Sequence, residues 1–244
     1  MKFKDVIRKP RFIWVYPLGA WLFLTARTTD RRFLIGACVA LLGEAVRCWA
    51  NGHVGHQKVN QTDGARSAKI GRLVTAGPYA FIRHPLYFGS LLIGAGFCIL
   101  VGNPWLAAAA LSMFVTVYRP KMAEEEATLR HEWGEQFLRY QRAVPRWVPT
   151  GRRYPGPGGR WSWRGIVVSK EWKTCLWLAV CLIVMYLRKE WWQDGELLSG
   201  PQAGQQIVLL AVLILLVSAD GSEWVAKRLS RRRARRSGAS PRLV

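Results

Sequence analysis

Acidic side chains are scarce in this chain: 15 Asp and Glu stand against 36 Lys and Arg, a formal net charge of +21 over 244 residues. Histidine is scarcer still, at 4 residues. The 5 cysteines include no CxxC pair. There is no HExxH pair and no Cys/His set at zinc spacing, so no metal is expected. His53 and His56 lie three apart, with His84 and His131 elsewhere. Glycine-rich dinucleotide loops and P-loops are missing, which excludes Rossmann and Walker-type phosphate binding. No internal repeat is present. Cys38, Cys48, Cys98, Cys175 and Cys181 all fall in or beside apolar runs. They read as buried free thiols, neither a disulfide framework nor a nucleophile.

What the chain has in quantity is apolar sequence, 50% of its residues. It comes in runs at 33–50, 86–101, 105–118, 174–187 and 206–218, with a weaker one at 12–26. A bilayer span takes about 20 apolar residues, so flanking residues must complete several of these runs. A signal peptide is the alternative for the first run, but stop-transfer-like segments follow it. The expected fold is all-α: a polytopic membrane helical bundle of about six transmembrane helices in three hairpins, with a cytoplasmic amphipathic helix. With both termini cytoplasmic, segments 1–11, 51–85, 119–172 and 221–244 hold 29 of the 36 Lys and Arg. That asymmetry is the positive-inside pattern of a multi-pass protein, so the charge calls for membrane lipid and no nucleic acid. Arg27, Arg31 and Arg32, in the first outer turn, run against it. Residues 1–150 read as a membrane core, 151–171 as a Gly/Pro/Arg-rich linker, 172–220 as an extra transmembrane hairpin and 221–244 as a basic tail.

Three places carry candidate chemistry. The first is Gly77 to Gly89, where a cytoplasmic loop enters a membrane helix. Pro85 biases His84 to an extended backbone and suits the first helical turn. Arg83 and His84 thus project at a helix N-terminus, where anions are favoured. The plain reading is a juxtamembrane helix start, with Arg83 on lipid phosphate and Tyr79 and Tyr87 in the interfacial belt. The second is a helix over Lys121 to Val144. At ~100° per residue, Met122, Leu129, Trp133, Phe137, Tyr140 and Val144 share one stripe. Glu126 lands inside that stripe, Glu125 at its edge and Glu124 opposite. A carboxylate on an apolar face needs a cationic partner, either a basic ligand group or an arginine. The third is Glu44, Arg47 and Asn51 on one face of the second span: either functional groups or an ion pair closing a helix interface.

The first two places together resemble the isoprenylcysteine carboxyl methyltransferase family. Its RHPxYxG loop is matched by Arg83-His84-Pro85-Leu86-Tyr87-Phe88-Gly89, and its EExxL helix start by Glu125-Glu126-Ala127-Thr128-Leu129. In the FGxxYxxY-VPxxxP ending, Trp133 and Phe137 replace Phe and Tyr, while Gly134 and Tyr140 match. The resemblance covers about residues 43–150 and implies a methyl transfer from S-adenosylmethionine, bound without a Rossmann domain. The acceptor it implies is lipophilic or prenylated, most simply an isoprenylcysteine-like carboxylate. Carried over, His84, Pro85, Tyr87 and Gly89 line the cofactor pocket beside Tyr79. Glu125 and Glu126 close it, and Arg83 holds an anionic group of acceptor or cofactor. Arg83 and Glu126 are thereby the catalytic candidates. A phospholipid N-methyltransferase, or an NADPH-dependent sterol-reductase-like enzyme sharing a His-Pro-x-Tyr loop, are the alternatives. The sequence does not set the oligomeric state.

Overall fold

The computed structural model describes residues 28–54, 73–156, 159–194, 203–216 and 218. The first apolar run, most of the 51–72 loop and the basic tail lie outside the described residues. Those described are helical, with no strand among them. They form α1 (Asp30–Val54), α2 (Pro85–Val101), α3 (Pro104–Ala143), α4 (Trp163–Ser169) and α5 (Glu171–Asp194), with a 3₁₀ turn at Gly77–Ala80. A further apolar helix, α6, covers Ala203–Leu216. The chain divides into two compact units, Met1–Cys175 and Leu176–Val244. Among the described residues, α1 is the one helix long and apolar enough to cross a bilayer; α2 and α6 are apolar but shorter.

Glycine sets how α1 meets α2. The two run antiparallel, and their backbones touch at two levels seven residues apart. A Cβ added to Gly43 would lie 2.6 Å from the Gly89 carbonyl oxygen, and one added to Gly36 would lie 2.6 Å from that of Gly96. Small residues at such spacing let helix backbones approach closely, which suits apolar surroundings where packing supplies the attraction. Ala40, Ala50 and Leu100 are fully buried along this seam, while Leu34, Leu41 and Leu42 are exposed on the far side of α1. That outward apolar face needs hydrocarbon or protein against it.

α2 stops at Val101 and α3 begins at Pro104. Asn103 caps α3, its side chain accepting from the Trp105 amide at 3.0 Å and the Leu106 amide at 3.3 Å. Pro104 occupies the first turn, where its missing N–H costs nothing. The helix expected at Lys121 to Val144 is therefore the continuation of the preceding apolar run. It is also not straight. Gly134 has φ 46° and ψ −125°, a conformation open to glycine and strained for L side chains. Gln141 Nε2 reaches Glu126 Oε2 at 3.3 Å and Arg130 Nη2 reaches Gln141 Oε1 at 3.1 Å. Fifteen residues of unbroken helix would hold Gln141 about 22 Å from Glu126. The chain thus folds back at Gly134, and one uninterrupted helix over 121–144 is corrected to two arms. The inward stripe survives: Met122, Glu126, Phe137, Tyr140 and Val144 are all buried. Phe137, Tyr140 and Val144 cluster with Leu73, with Leu129, Trp133 and Tyr154 packed against them.

The stretch expected to be a linker contains α4. Ser162 caps it by accepting from the Arg164 amide at 3.2 Å, and the Ser162 amide donates to the Gly52 carbonyl at 2.9 Å. Gly165 sits against the Asn51 carbonyl without room for a Cβ. This Gly- and Arg-rich segment is therefore tied to the C-terminal end of α1.

Candidate active site

The polar end of α2 and the two arms of α3 meet around one carboxylate. Pro85 starts α2 and is fully buried, and His84 stands at its N-cap. The preceding loop is held by backbone bonds to the segment after α3. The Arg83 amide donates to the Pro145 carbonyl at 2.9 Å. The Thr150 amide donates to Phe81 at 2.9 Å, and the Tyr154 amide to Ala80 at 2.9 Å. Tyr140 Oη donates to the Tyr79 carbonyl at 2.7 Å. The fold-back at Gly134 is what carries Tyr140 and Arg146 to this loop.

Glu126 is 4% exposed and accepts from four side chains. Arg83 Nη1 lies 2.8 Å from Oε1, and His84 Nε2 lies 3.0 Å from the same oxygen. Arg146 grips the carboxylate with two nitrogens, Nε at 3.0 Å from Oε1 and Nη2 on Oε2. Gln141 completes the set. Burial alone would raise this carboxyl group. Hydrogen bonds from His84 and Arg146, with the charge of Arg83, overturn that and hold it down to about 2. His84 also faces Glu125, its Nδ1 3.5 Å from Oε2. Burial opposes the imidazolium, yet the two glutamates prevail and the pKa of His84 is raised. Glu125 accepts from Tyr87 Oη at 2.6 Å. Glu124 points away and is exposed.

From Tyr87 an aromatic ladder leads away from the charges. Tyr87 and Tyr118 have ring centroids 5.0 Å apart, and Tyr118 and Phe114 lie 4.5 Å apart. Phe114 lines a groove of about 480 Å³ between α2 and α3, walled by Leu91, Gly94, Cys98, Ile99 and Leu111. That size lies within the range of small-molecule sites.

Of the residues singled out in the sequence, Arg83, His84, Tyr87, Glu125 and Glu126 converge here. Tyr79 takes part through its backbone, and Pro85 sets the helix start. Gly89 is not in this cluster: it faces α1, where a Cβ would lie 2.5 Å from Arg47 Cγ and 2.6 Å from the Gly43 carbonyl oxygen. Glu44, Arg47 and Asn51 are brought together, with Arg47 Nε 2.6 Å from Glu171. Sequence reasoning missed Arg146, Gln141 and Glu171. The misplaced charge of Glu126 signalled that a cation was needed, and Gly134 was the only sign of the reversal that supplies it.

The fold and site define a helical protein whose apolar helices carry a charged cluster at one end, beside an apolar groove. Residues 34–131 match the model of the Isoprenylcysteine carboxyl methyltransferase (ICMT) family. Relatives named Protein-S-isoprenylcysteine O-methyltransferase include one from Xenopus laevis, 28% identical over 54% of this chain and 48% of its own. One from Homo sapiens is 35% identical over 32% of this chain and 27% of its own. One from Tribolium castaneum is 31% identical over 47% and 41%. The chain thus spans about half or less of the length of these relatives. The solved structure of a eukaryotic intramembrane Ras methyltransferase ICMT aligns with TM-score 0.44 at 30% identity, covering 50% of this chain and 43% of that one. The RHPxYxG and EExxL motifs both fall within residues 34–131, the part of the chain that this family model matches.

Proposed function

We propose that this protein is an integral membrane methyltransferase that esterifies the carboxylate of an isoprenylcysteine-like acceptor, with S-adenosylmethionine as donor. The observation that carries the reading is the cluster of Arg83, His84, Glu125, Glu126 and Arg146, linked by the Tyr87–Tyr118–Phe114 ring stack to an apolar groove. The donor supplies an electrophilic methyl group on a sulfonium. Its amino-acid head is a zwitterion, and the cluster offers both signs: Glu125 and Glu126 for an ammonium, Arg83 and Arg146 for a carboxylate. These groups satisfy one another when no ligand is present. Two buried donors remain unspent, Arg83 Nε and Trp133 Nε1. Buried donors without partners are costly, and a ligand rich in acceptors relieves that cost.

The remaining work falls to position and water exclusion. An acceptor carboxylate is already ionised at neutral pH, so the displacement needs no general base. Sulfonium and carboxylate neutralise one another as the methyl moves, so a dry site favours reaction. Arg83 or Arg146 aligns the acceptor carboxylate, and the groove beside Phe114 takes its apolar chain. His84 fixes the orientation of both glutamates. Six spans in three hairpins, with the site and both termini cytoplasmic, is the topology proposed for the membrane.

The test uses the full chain in phosphatidylcholine vesicles with methyl-labelled S-adenosylmethionine. The vesicles also carry an N-acetylated farnesylcysteine and phosphatidylethanolamine. Base-labile label on the prenylcysteine is expected. Base-stable label on the amine lipid would overturn the acceptor assignment.

A further inference from the structure

A second cluster lies away from this site, between α1 and the first turn of α5. Cys48 and Cys175 are 127 residues apart in sequence, and their sulfurs are 3.7 Å apart. Cys175 Sγ donates to Glu44 Oε1 at 2.9 Å, and Cys48 Sγ lies 3.7 Å from the same oxygen. One ligand atom from each of the three falls within 4.8 Å of the others. Glu44 is 6% exposed, and its Oε2 accepts no hydrogen bond. Arg47 Nε stands 3.7 Å from that oxygen and is committed to Glu171 at 2.6 Å.

The spacing fits a tetrahedral ion. Zinc binds thiolate at about 2.3 Å and carboxylate oxygen at about 2.0 Å, which puts two ligating sulfurs about 3.8 Å apart and each sulfur about 3.5 Å from the oxygen. The observed distances need adjustment by well under 1 Å to meet those values. A disulfide would instead need the sulfurs to close to about 2.05 Å. The outer contacts hold the ligands in place. Asn51 Nδ2 donates to Glu171 Oε2 at 2.9 Å, and Arg47 bonds Glu171, Ser90 Oγ at 2.6 Å and the Leu86 carbonyl. Glu171 precedes Cys175 by one helical turn, so these bonds fix the face that Cys175 presents to Cys48. Partners behind the ligands are what give metal sites their geometry.

We propose that Glu44, Cys48 and Cys175 form a zinc-class metal site that clamps α1 to the start of α5. Three protein ligands bind the ion, and Glu44 Oε2 or a water takes the fourth position. Binding releases both thiol protons to solvent, with no change of oxidation state. Two thiolates, one carboxylate and the dication sum to −1, beside the guanidinium of Arg47. Soft thiolates favour zinc over magnesium or calcium. The spacing rules applied to the sequence miss such a site because its cysteines belong to different helices.

The experiment uses the full chain, purified in detergent and dialysed against zinc-free buffer after loading. Elemental analysis is expected to find about one zinc per chain. Replacement by cobalt is expected to give thiolate charge-transfer and tetrahedral d–d absorption. Both signals should vanish in C48S and C175S and persist in C38S and C181S, whose sulfurs are outside the cluster. Wild-type protein holding no more than a trace of zinc overturns the proposal, whatever the variants do. So does cobalt absorption that survives in the C48S/C175S double variant. A Cys48–Cys175 disulfide that persists in protein reduced and then loaded with zinc under argon overturns it as well.

Discussion

Replacing Glu126 by glutamine keeps the shape of the side chain and removes the charge on which Arg83, His84 and Arg146 converge. The carboxyl pKa falls from the ordinary 4.5 to about 2. Each unit is worth 1.36 kcal/mol, so the cluster favours the ionised form by about 3 kcal/mol. Glutamine forfeits that preference, leaves the guanidiniums of Arg83 and Arg146 without their shared counter-charge, and leaves His84 with Glu125 alone. In a chain of this size the loss corresponds to a fall of about 10 °C in the unfolding midpoint. Under the proposed function, losing a charge-assisted contact to the ammonium of S-adenosylmethionine adds a further weakening of its binding by about ten- to hundredfold. Thermal unfolding in detergent reads the first quantity and isothermal titration the second. Glu124→Gln, one residue from Glu125 but exposed, serves as the control and should change neither. If Glu126→Gln and Glu124→Gln unfold and bind alike, the inward phase of Glu126 and its place in the cofactor pocket are both wrong.

Other outcomes follow from the same geometry. Glu126, with a depressed pKa, contributes stability that is full above about pH 4.5 and lost as pH falls toward 2. His84, with a raised pKa, contributes stability that is full below pH 6.5 and lost as pH rises through its folded value. The unfolding midpoint should therefore peak between about pH 4.5 and 6.5, and a monotonic profile would contradict the cluster. Gly134→Ala forces a side chain into a strained conformation at a cost of about 1–3 kcal/mol. It should lower S-adenosylmethionine affinity by displacing Arg146, whereas Gly151→Ala, in open space, should not. Arg146→Lys keeps the charge but loses the two-nitrogen grip, so affinity should fall by about tenfold. Gly43→Leu should abolish the folded, monodisperse protein in detergent, as judged by size exclusion, because no cavity exists between Gly43 and the Gly89 carbonyl.

The helical character, the two ends of the turn at Gly102–Pro104 and the burial order of Glu124, Glu125 and Glu126 were legible from periodicity and caps alone. Those features are local, fixed within one or two turns. The partners of Glu126 were not legible, because Arg146 and Gln141 reach it only through a reversal at a single glycine. A hydrophobic stripe reads the same on a straight helix and on two arms that both present it inward. The packing of Gly89 on α1 was not legible for a related reason: a glycine beside a motif serves equally for a ligand or for another helix. Glu171 lay in a stretch whose Gly, Pro and Arg content reads as a connection. Its value comes from Arg47 and Asn51, more than a hundred residues away.

Gly36 and Gly43 on one helix, and Gly89 and Gly96 on the other, act as matched notches. A helix advances 1.5 Å and turns ~100° per residue, so a slip of one residue would put side chains where only hydrogen fits. The two helices can therefore engage at one axial setting. That setting fixes how far His84, five residues before Gly89, stands beyond the end of the apolar seam. The distance of the charged cluster from the seam is thus a length encoded in glycine spacing. Inserting one residue between Gly43 and Arg47 would move Arg47 away from Ser90 and Leu86 while leaving every site residue chemically intact.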